Sequence, residues 1–568
     1  MSKYAARITA SDAVVRMLEL HDITHIFGVC GDTSLPLYDS LARLKHGLTH
    51  ILARDERCAA YMADVYARLT SKVGVVEGPS GAGATYMLPG VGEANGTKIP
   101  VLAITTDIPV AGRGKFVLTE GDQEAMFRPF TKNTRVVEIA QNIPTAFRAA
   151  FTSMTTATPG AAHIGLPYDV LKGEVDAADL WADKSLGYFP ARPVRPGDAA
   201  IKAAIQHIQK AERPIIICGG GVRHARAWEE LRIFAEAIGA PIGTTISAKG
   251  TIAEAHALAL GTIGTNGSTA IAREVVNESD LIIYIGCHVG SVTTQKLTSP
   301  RVGEKTILHI DIDPATIGAC YYTAVGMLGD AKLTLDALNQ ELGLFSTSKP
   351  GRGWGYAAAA RAKAQRRERF LQHATSDEAP IYPERIVAEM QKALPPDVLI
   401  ISDPGTPTPY LCAFYETQNS GHSFIFHRTF GGLGFSLPGV VGAHFAATGR
   451  KIIGIMGDGS FGFSSGELET ITRLKIPATL IVINNSGFSW IKAAQKESYN
   501  SGVYEVDFSC SDHAAIAAAY GIKSWRVEYP HQLAPALAAA LTHDGPTLID
   551  IITRPLDKLD VPVTAFLG

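Results

Sequence analysis

The sequence predicts an α/β protein built from three parallel-sheet domains. Short apolar runs of strand length alternate with amphipathic helical patterns along the whole chain, the arrangement that gives parallel strands covered by helices. The 568 residues suffice for roughly three or four domains. One local plan, a strand followed by a Gly-rich turn and a helix, occurs towards both ends, at Gly78-Pro79-Ser80-Gly81-Ala82-Gly83 and at Gly457-Asp458-Gly459-Ser460. It is a weak internal repeat.

The first unit is expected over 1–185, with strands at 25–29, 74–76 and 101–104. Each is a short apolar run rich in β-branched residues. The Pro-rich stretch 189–196 reads as a linker. The second unit, 197–345, has strands at 214–217, 281–286 and 306–311. A connecting segment, 346–380, contains an Ala- and Arg-rich helical stretch from about Tyr356 to His373. The third unit, 381–568, has strands at 398–401, 451–456 and 478–483.

Composition narrows the function classes. With 46% hydrophobic and 19% charged residues the chain can bury several cores and contains no disordered-looking tract. A net charge of −3 leaves no basic footprint for nucleic acid. The seven cysteines are scattered without a CxxC pair, which argues against a disulfide framework or a zinc site and fits a reducing cytoplasm. The first residues run into a capped amphipathic helix rather than an apolar signal core. No apolar run reaches the length of a membrane span, so no membrane partner is expected.

The chemistry is concentrated around Gly457-Asp458-Gly459-Ser460. The strand 451–456 precedes it. Ser464-Ser465-Gly466-Glu467 has capping-box spacing and is expected to open a helix through about Leu474. The next strand, 478–483, ends in Asn484-Asn485. In an open α/β sheet ligands bind at the carboxyl ends of strands. A hard carboxylate, Asp458, and an amide oxygen, Asn485, therefore converge on one crevice beside glycines. That donor set suits Mg²⁺ held by few protein oxygens and completed by a diphosphate.

This constellation resembles the cofactor motif of thiamine diphosphate (ThDP) enzymes. The resemblance extends over nearly the whole chain, to the acetolactate synthase, pyruvate oxidase and 2-oxo acid decarboxylase group. It implies a pyrimidine-binding first domain, a Rossmann-like central domain and a diphosphate- and Mg²⁺-binding third domain. On the family pattern the metal ligands are Asp458, Asn485 and the Gly487 carbonyl, and Gly457, Gly459, Ser460, Gly405 and Thr406 hold the diphosphate. Glu56, before a small-residue helix ending Tyr66-Ala67-Arg68, matches the glutamate that drives the aminopyrimidine to its imino form. Many relatives carry His before it; this chain carries Asp55, which either faces solvent or raises the Glu56 pKa by like-charge repulsion. Ser80 and Gly81 match the turn against the pyrimidine, and Leu433 the bulky residue beneath the cofactor.

The substrate side carries mixed signals. Phe27-Gly28-Val29-Cys30-Gly31-Asp32 resembles the decarboxylase segment whose aspartate is an active-site acid; a helix-cap role for Asp32 is the alternative. The His-His pair of decarboxylases is missing from 112–118. Gln123 matches a synthase glutamine able to hydrogen-bond an oxyanion, with Asp122 in place of an aromatic residue. Cys30, Asp122, Trp490 and Ile491 are expected to line the substrate pocket. In the central domain, His309-Ile310-Asp311-Ile312-Asp313-Pro314 matches a segment that holds FAD in some relatives and occurs in others that bind a CoA or ADP moiety or nothing.

The resemblance thus implies a ThDP- and Mg²⁺-dependent enzyme that cleaves and forms C–C bonds, with a 2-oxo acid or related carbonyl as substrate. Acetolactate synthase-like carboligation comes first, then non-oxidative 2-oxo acid decarboxylation, then 2-hydroxyacyl-CoA lyase chemistry. A non-catalytic ThDP-fold subunit is the rival from another class. The family also implies a homodimer or homotetramer.

Overall fold

A computed structural model describes residues 7–343, 352–446, 449–499, 501–564 and 566. Residues 346–351 of the expected connecting segment and the first six residues lie outside them. The described residues divide into two compact units. One lies within Met1–Arg192, His427–Gly449 and Ser464–Ile476, the other within Pro193–Phe426, Arg450–Phe463 and Pro477–Gly568.

The first unit is built on six parallel strands, β1 (His25–Gly28), β2 (Thr49–Leu52), β3 (Gly74–Gly78), β4 (Val101–Asp107), β5 (Asn133–Val136) and β6 (Ala162–Pro167). Their order is β2-β1-β3-β4-β6-β5. A short antiparallel pair, Arg7–Thr9 with Glu174–Asp176, precedes the expected capped helix Ala10–Leu20, whose Thr9 side chain accepts from the Asp12 N–H. Helix α1 (Glu56–Thr70) contains four Ala and two Arg, good helix formers. Asp55 caps it, accepting from the N–H groups of Arg57 at 2.8 Å and Cys58 at 3.3 Å. The neighbouring helix α2 (Leu88–Gly96) and helix α3 (Ser436–Phe445) both pack along α1. A helix covered on several sides has to be apolar nearly all round, and α1 is buried along most of its length.

The second unit carries two more six-stranded parallel sheets. The central one comprises β7 (Pro214–Cys218), β8 (Ile242–Thr244), β9 (Ala259–Thr262), β10 (Leu281–Ile285), β11 (Thr306–Asp311) and β12 (Val325–Leu328), in the order β9-β8-β7-β10-β11-β12. This is the doubly wound dinucleotide-fold order. Both faces are covered: Leu281, Ile283 and Ile285 of β10 join one core, Ile282 and Tyr284 the other. The last sheet comprises β13 (Leu399–Ser402), β14 (Phe424–Phe426), β15 (Ile452–Gly457), β16 (Ala478–Asn484), β17 (Lys523–Val527) and β18 (Thr547–Ile552), in the order β14-β13-β15-β16-β18-β17. Strand for strand, this repeats the order of the first sheet, so the repeat suspected from two Gly-rich turns covers a whole sheet plan. The Ala- and Arg-rich stretch is a helix, Arg352–Leu371.

One local expectation fails. Helix α4 (Asp458–Ser464) begins at the aspartate itself, and a 3₁₀ turn, Ser465–Glu467, separates it from the helix Leu468–Arg473. The Ser464 side chain makes no capping bond. Glu467 instead accepts from the Arg54 N–H at 2.8 Å and the Thr470 hydroxyl at 2.6 Å, so its carboxylate is no longer free to close a box. Among the described residues no helix is long and apolar enough to cross a membrane.

Candidate active site

Strand order locates two crevices. In the last sheet the order reverses between β13 and β15, so the loops after these strands open a crevice at their carboxyl ends. Gly405 and Thr406 follow β13, Asp458 follows β15, and Asn485 follows the adjacent β16. Gly405 has φ +96°, a left-handed conformation that suits glycine. Asp458 is buried, with Oδ1 accepting from the Gly459 N–H at 2.9 Å and Oδ2 from the Gly487 N–H at 3.1 Å. Burial raises its pKa against those two bonds. The Asn485 Nδ2 donates to Thr406 Oγ1 at 3.2 Å, which leaves Oδ1 buried without a partner.

A buried acceptor without a donor is costly unless a ligand answers it. Among the described residues no three His, Cys, Asp or Glu side chains converge on a metal. One carboxylate and one orphaned amide oxygen, 27 residues apart in sequence by their numbering, fit a hard cation that takes its remaining oxygens from a ligand and water. A second layer fixes this strand end. The Asn484 Nδ2 donates to Asp550 Oδ1 at 3.0 Å, and Asp550 Oδ2 accepts from the His513 N–H at 3.1 Å. Gly457 and Gly459 border the crevice, and Ser460 is buried in α4. Trp490 is half-buried, its Nε1 donating to the Phe566 carbonyl at 3.1 Å; Ile491 is exposed.

In the first sheet the order reverses between β1 and β3. Cys30 and Asp32 follow β1, and Ser80 and Gly81 follow β3. Glu56, the first residue of α1, is buried beside Gly83, where a Cβ would lie 2.8 Å from Glu56 Oε1. The same Cβ would lie 2.7 Å from the Pro79 ring, so Gly83 leaves room for both the ring and the carboxyl. Burial raises the Glu56 pKa, its own backbone N–H opposes the rise, and the Asp55 and Glu77 carboxylates add to it. Asp55 therefore does two things: it caps α1 and contributes like charge.

Ser80 is pinned, bonded to the Thr119 hydroxyl at 2.6 Å and accepting from the Thr33 hydroxyl at 3.3 Å. Gly81 adopts φ +66°. Asp32 is exposed and opens a 3₁₀ turn that has no side-chain cap, so the capping role is not the one it fills. Cys30 is exposed, its thiol pKa raised by partial burial and by Glu77 and Asp32. Gln123 is buried: Thr105 Oγ1 donates to its Oε1, and its Nε2 donates to the Thr106 carbonyl at 3.0 Å. Asp122 caps the short helix Gln123–Phe127 through the Ala125 N–H at 2.9 Å. Both line a cavity of about 530 Å³ with Asp107, Arg113 and Glu120. Leu433 is half-buried in the turn before α3.

One cluster escaped the sequence reading. Glu77, fully buried in β3, accepts from the Tyr38 hydroxyl at 2.5 Å and lies 3.0 Å from His50 Nε2. Its signal was a charge inside an apolar strand, where a carboxylate is rare without partners.

The raised Glu56 pKa carries a stability consequence. A carboxyl raised by folding contributes stability that is fully present below its unfolded pKa, about 4.3, and lost as pH rises through the folded value. The Glu56→Gln apoprotein is therefore expected to melt above the wild type at neutral pH, with the gap closing as pH is lowered towards about 4. Calorimetric melts across that range check it; a variant that melts lower at neutral pH contradicts it.

Comparison with known proteins matches three family models in succession. They are the thiamine pyrophosphate enzyme N-terminal TPP binding domain over 8–126, the central domain over 201–338 and the C-terminal TPP binding domain over 403–551. A probable acetolactate synthase large subunit of Methanococcus aeolicus is 33% identical, the match covering 98% of this chain and 93% of the relative. A probable acetolactate synthase large subunit of Methanocaldococcus jannaschii is 33% identical over 97% and 92%. The acetolactate synthase large subunit of Parasynechococcus marenigrum is 31% identical over 96% and 88%.

Proposed function

The chain belongs to the thiamine pyrophosphate enzyme family, in its acetolactate synthase group, and from that premise we propose a ThDP- and Mg²⁺-dependent carboligase acting on a 2-oxo acid. The observation that supports it most is the crevice between β13 and β15. There Asp458 and the unpartnered Asn485 Oδ1 are fixed for a cation by the Gly487 N–H and Thr406.

Bound ThDP supplies a carbon nucleophile for the substrate carbonyl. The chain's own residues then have defined tasks. Asp458, Asn485 and the Gly487 carbonyl hold Mg²⁺, and the backbone at Gly405, Thr406, Gly457, Gly459 and Ser460 receives the diphosphate. Glu56, with its raised pKa, holds a proton that it shares with the aminopyrimidine ring nitrogen. Ser80 and Gly81 would border the pyrimidine, and Leu433 would support the cofactor. On this reading Asp32 and Gln123 handle charge and protons at the substrate.

A second reading, decarboxylation without a carbon acceptor, is favoured by Asp32, which is exposed beyond β1 and caps nothing. Incubation with ThDP, Mg²⁺ and a panel of 2-oxo acids, following CO₂ and coupled products, tests both. Coupled hydroxy-ketoacid supports the carboligase, aldehyde alone the decarboxylase, and no turnover with any acid overturns both in favour of a non-catalytic subunit. Visible flavin absorbance of the purified protein would add FAD to the central domain. The scattered cysteines, without a CxxC pair, are the basis for proposing a cytoplasmic location. The protein is expected to assemble as a homodimer or homotetramer; a fully active monomer in sedimentation at assay concentration contradicts this.

A further inference from the structure

Glu93 lies on α2, fully buried, and has no part in the site described above. Its carboxylate receives three successive backbone N–H groups: Arg428 at 3.2 Å on Oε1, and Thr429 at 2.9 Å and Phe430 at 2.7 Å on Oε2. Successive N–H groups that converge form a nest for an anion, and bonds to an ionised acceptor are the strong ones. The Arg68 Nη2 stands 3.4 Å from Oε1, and the same guanidinium donates through Nε to Asp64 Oδ2 at 2.8 Å, so its charge is shared between two buried carboxylates. Burial pushes His427, 3.6 Å from Oε2, down to about 4, so at neutral pH it adds no charge.

The surface of α2 is cut to receive the same segment. A Cβ on Gly92 would lie 3.2 Å from the Phe430 ring, and one on Gly96 2.4 Å from Thr429 Cγ2. Phe430 also meets Phe130 edge-on at 5.4 Å between ring centres. The segment seated in this way runs directly into Gly431, Gly432, Leu433 and Gly434. Gly431 and Gly434 have φ +76° and +82°. Such a glycine-rich stretch has little stiffness of its own, so the placement of Leu433 has to be imposed from its flanks.

We propose that Glu93 is a positioning residue: by holding the backbone of 428–430 on α2 it sets the turn that presents Leu433 to ThDP. This rests on the reading of Leu433 as the support beneath the cofactor. Glu93→Gln keeps the shape and one acceptor but removes the charge that three N–H groups share.

The test is calorimetric titration of the full-length apoprotein with ThDP at saturating Mg²⁺, with amide hydrogen exchange as the second readout. The Glu93→Gln variant is expected to show faster exchange over 428–434 with β1–β6 unchanged, and a Kd raised about tenfold or more. Glu93→Asp, which keeps the charge at shorter reach, is expected to recover part of the affinity. A residue that merely stabilised the domain would lower the melting temperature yet leave affinity and local exchange unchanged well below the melt. That result overturns the proposal.

Leu433→Ala separates the proposal from its premise. If it raises the Kd and Glu93→Gln does not, the role of Glu93 falls and the reading of Leu433 stands. If it leaves Kd unchanged, the reading falls and takes the proposal with it. Should Glu93→Gln fail to fold, Gly96→Ala provides the same test without a change of charge, because its methyl displaces Thr429. Native ThDP affinity in Gly96→Ala overturns the proposal.

Discussion

Replacing Asp458 by alanine is expected to abolish Mg²⁺-dependent binding of ThDP while the protein stays folded. Of the residues proposed to hold the metal, Asp458 alone carries an ionisable side chain. Truncating one partner of a buried charge interaction costs about 2–5 kcal/mol, so the ThDP Kd is expected to rise roughly 30-fold or more. The fold survives because the loss in the apoprotein is small: the N–H groups of Gly459 and Gly487 lose their acceptor, and a buried ionisable group goes with it. Titration calorimetry with and without Mg²⁺ checks the affinity, and circular dichroism the fold. A folded variant with unchanged ThDP affinity removes the basis of the functional reading.

The Glu56→Gln enzyme is expected to bind ThDP and lose most of its turnover. Loss of a general acid–base group costs roughly 10²–10⁴-fold. Hydrogen–deuterium exchange at the thiazolium C2 isolates the step from substrate chemistry. Wild-type exchange in the variant would reduce Glu56 to a helix-terminal residue held by the dipole. Asp32→Asn provides the contrast: C2 exchange is expected to survive while product formation slows. If neither rate moves, Asp32 is structural and the decarboxylase reading loses its support.

Much of this was legible in the sequence because its signals are local. A strand, a short motif and the next strand place Asp458 and Asn485 at neighbouring strand ends, and parallel-sheet geometry does the rest. Glu56 was marked by the helix it opens. The capping box at Ser464 misled because two glycines and an aspartate read as a turn, whereas the chain begins its helix there at once. Glu93 gave no signal: the backbone N–H groups it holds lie 335 residues and more along the chain, and no periodicity connects them. Glu467, bonded 413 residues away to the Arg54 N–H, was read as a cap for the same reason. The side chains of Gln123 and Asp122 have local partners, in Thr105, Thr106 and the Ala125 N–H, that a linear reading does not reveal.

The burial of Glu56 has a consequence for the life of the polypeptide in a cell. Newly made chains fold before they meet their cofactor, and in that interval the neutral-pH protein carries a carboxyl that its fold disfavours in ionised form. A ligand that binds only the native state adds stability in proportion to the logarithm of its free concentration. Scarcity of thiamine or magnesium would then act twice: it leaves molecules idle, and it leaves them for longer in the form that proteases clear first. On the proposed function, the abundance of this protein is expected to follow its cofactor supply, because the ligand stabilises the native state.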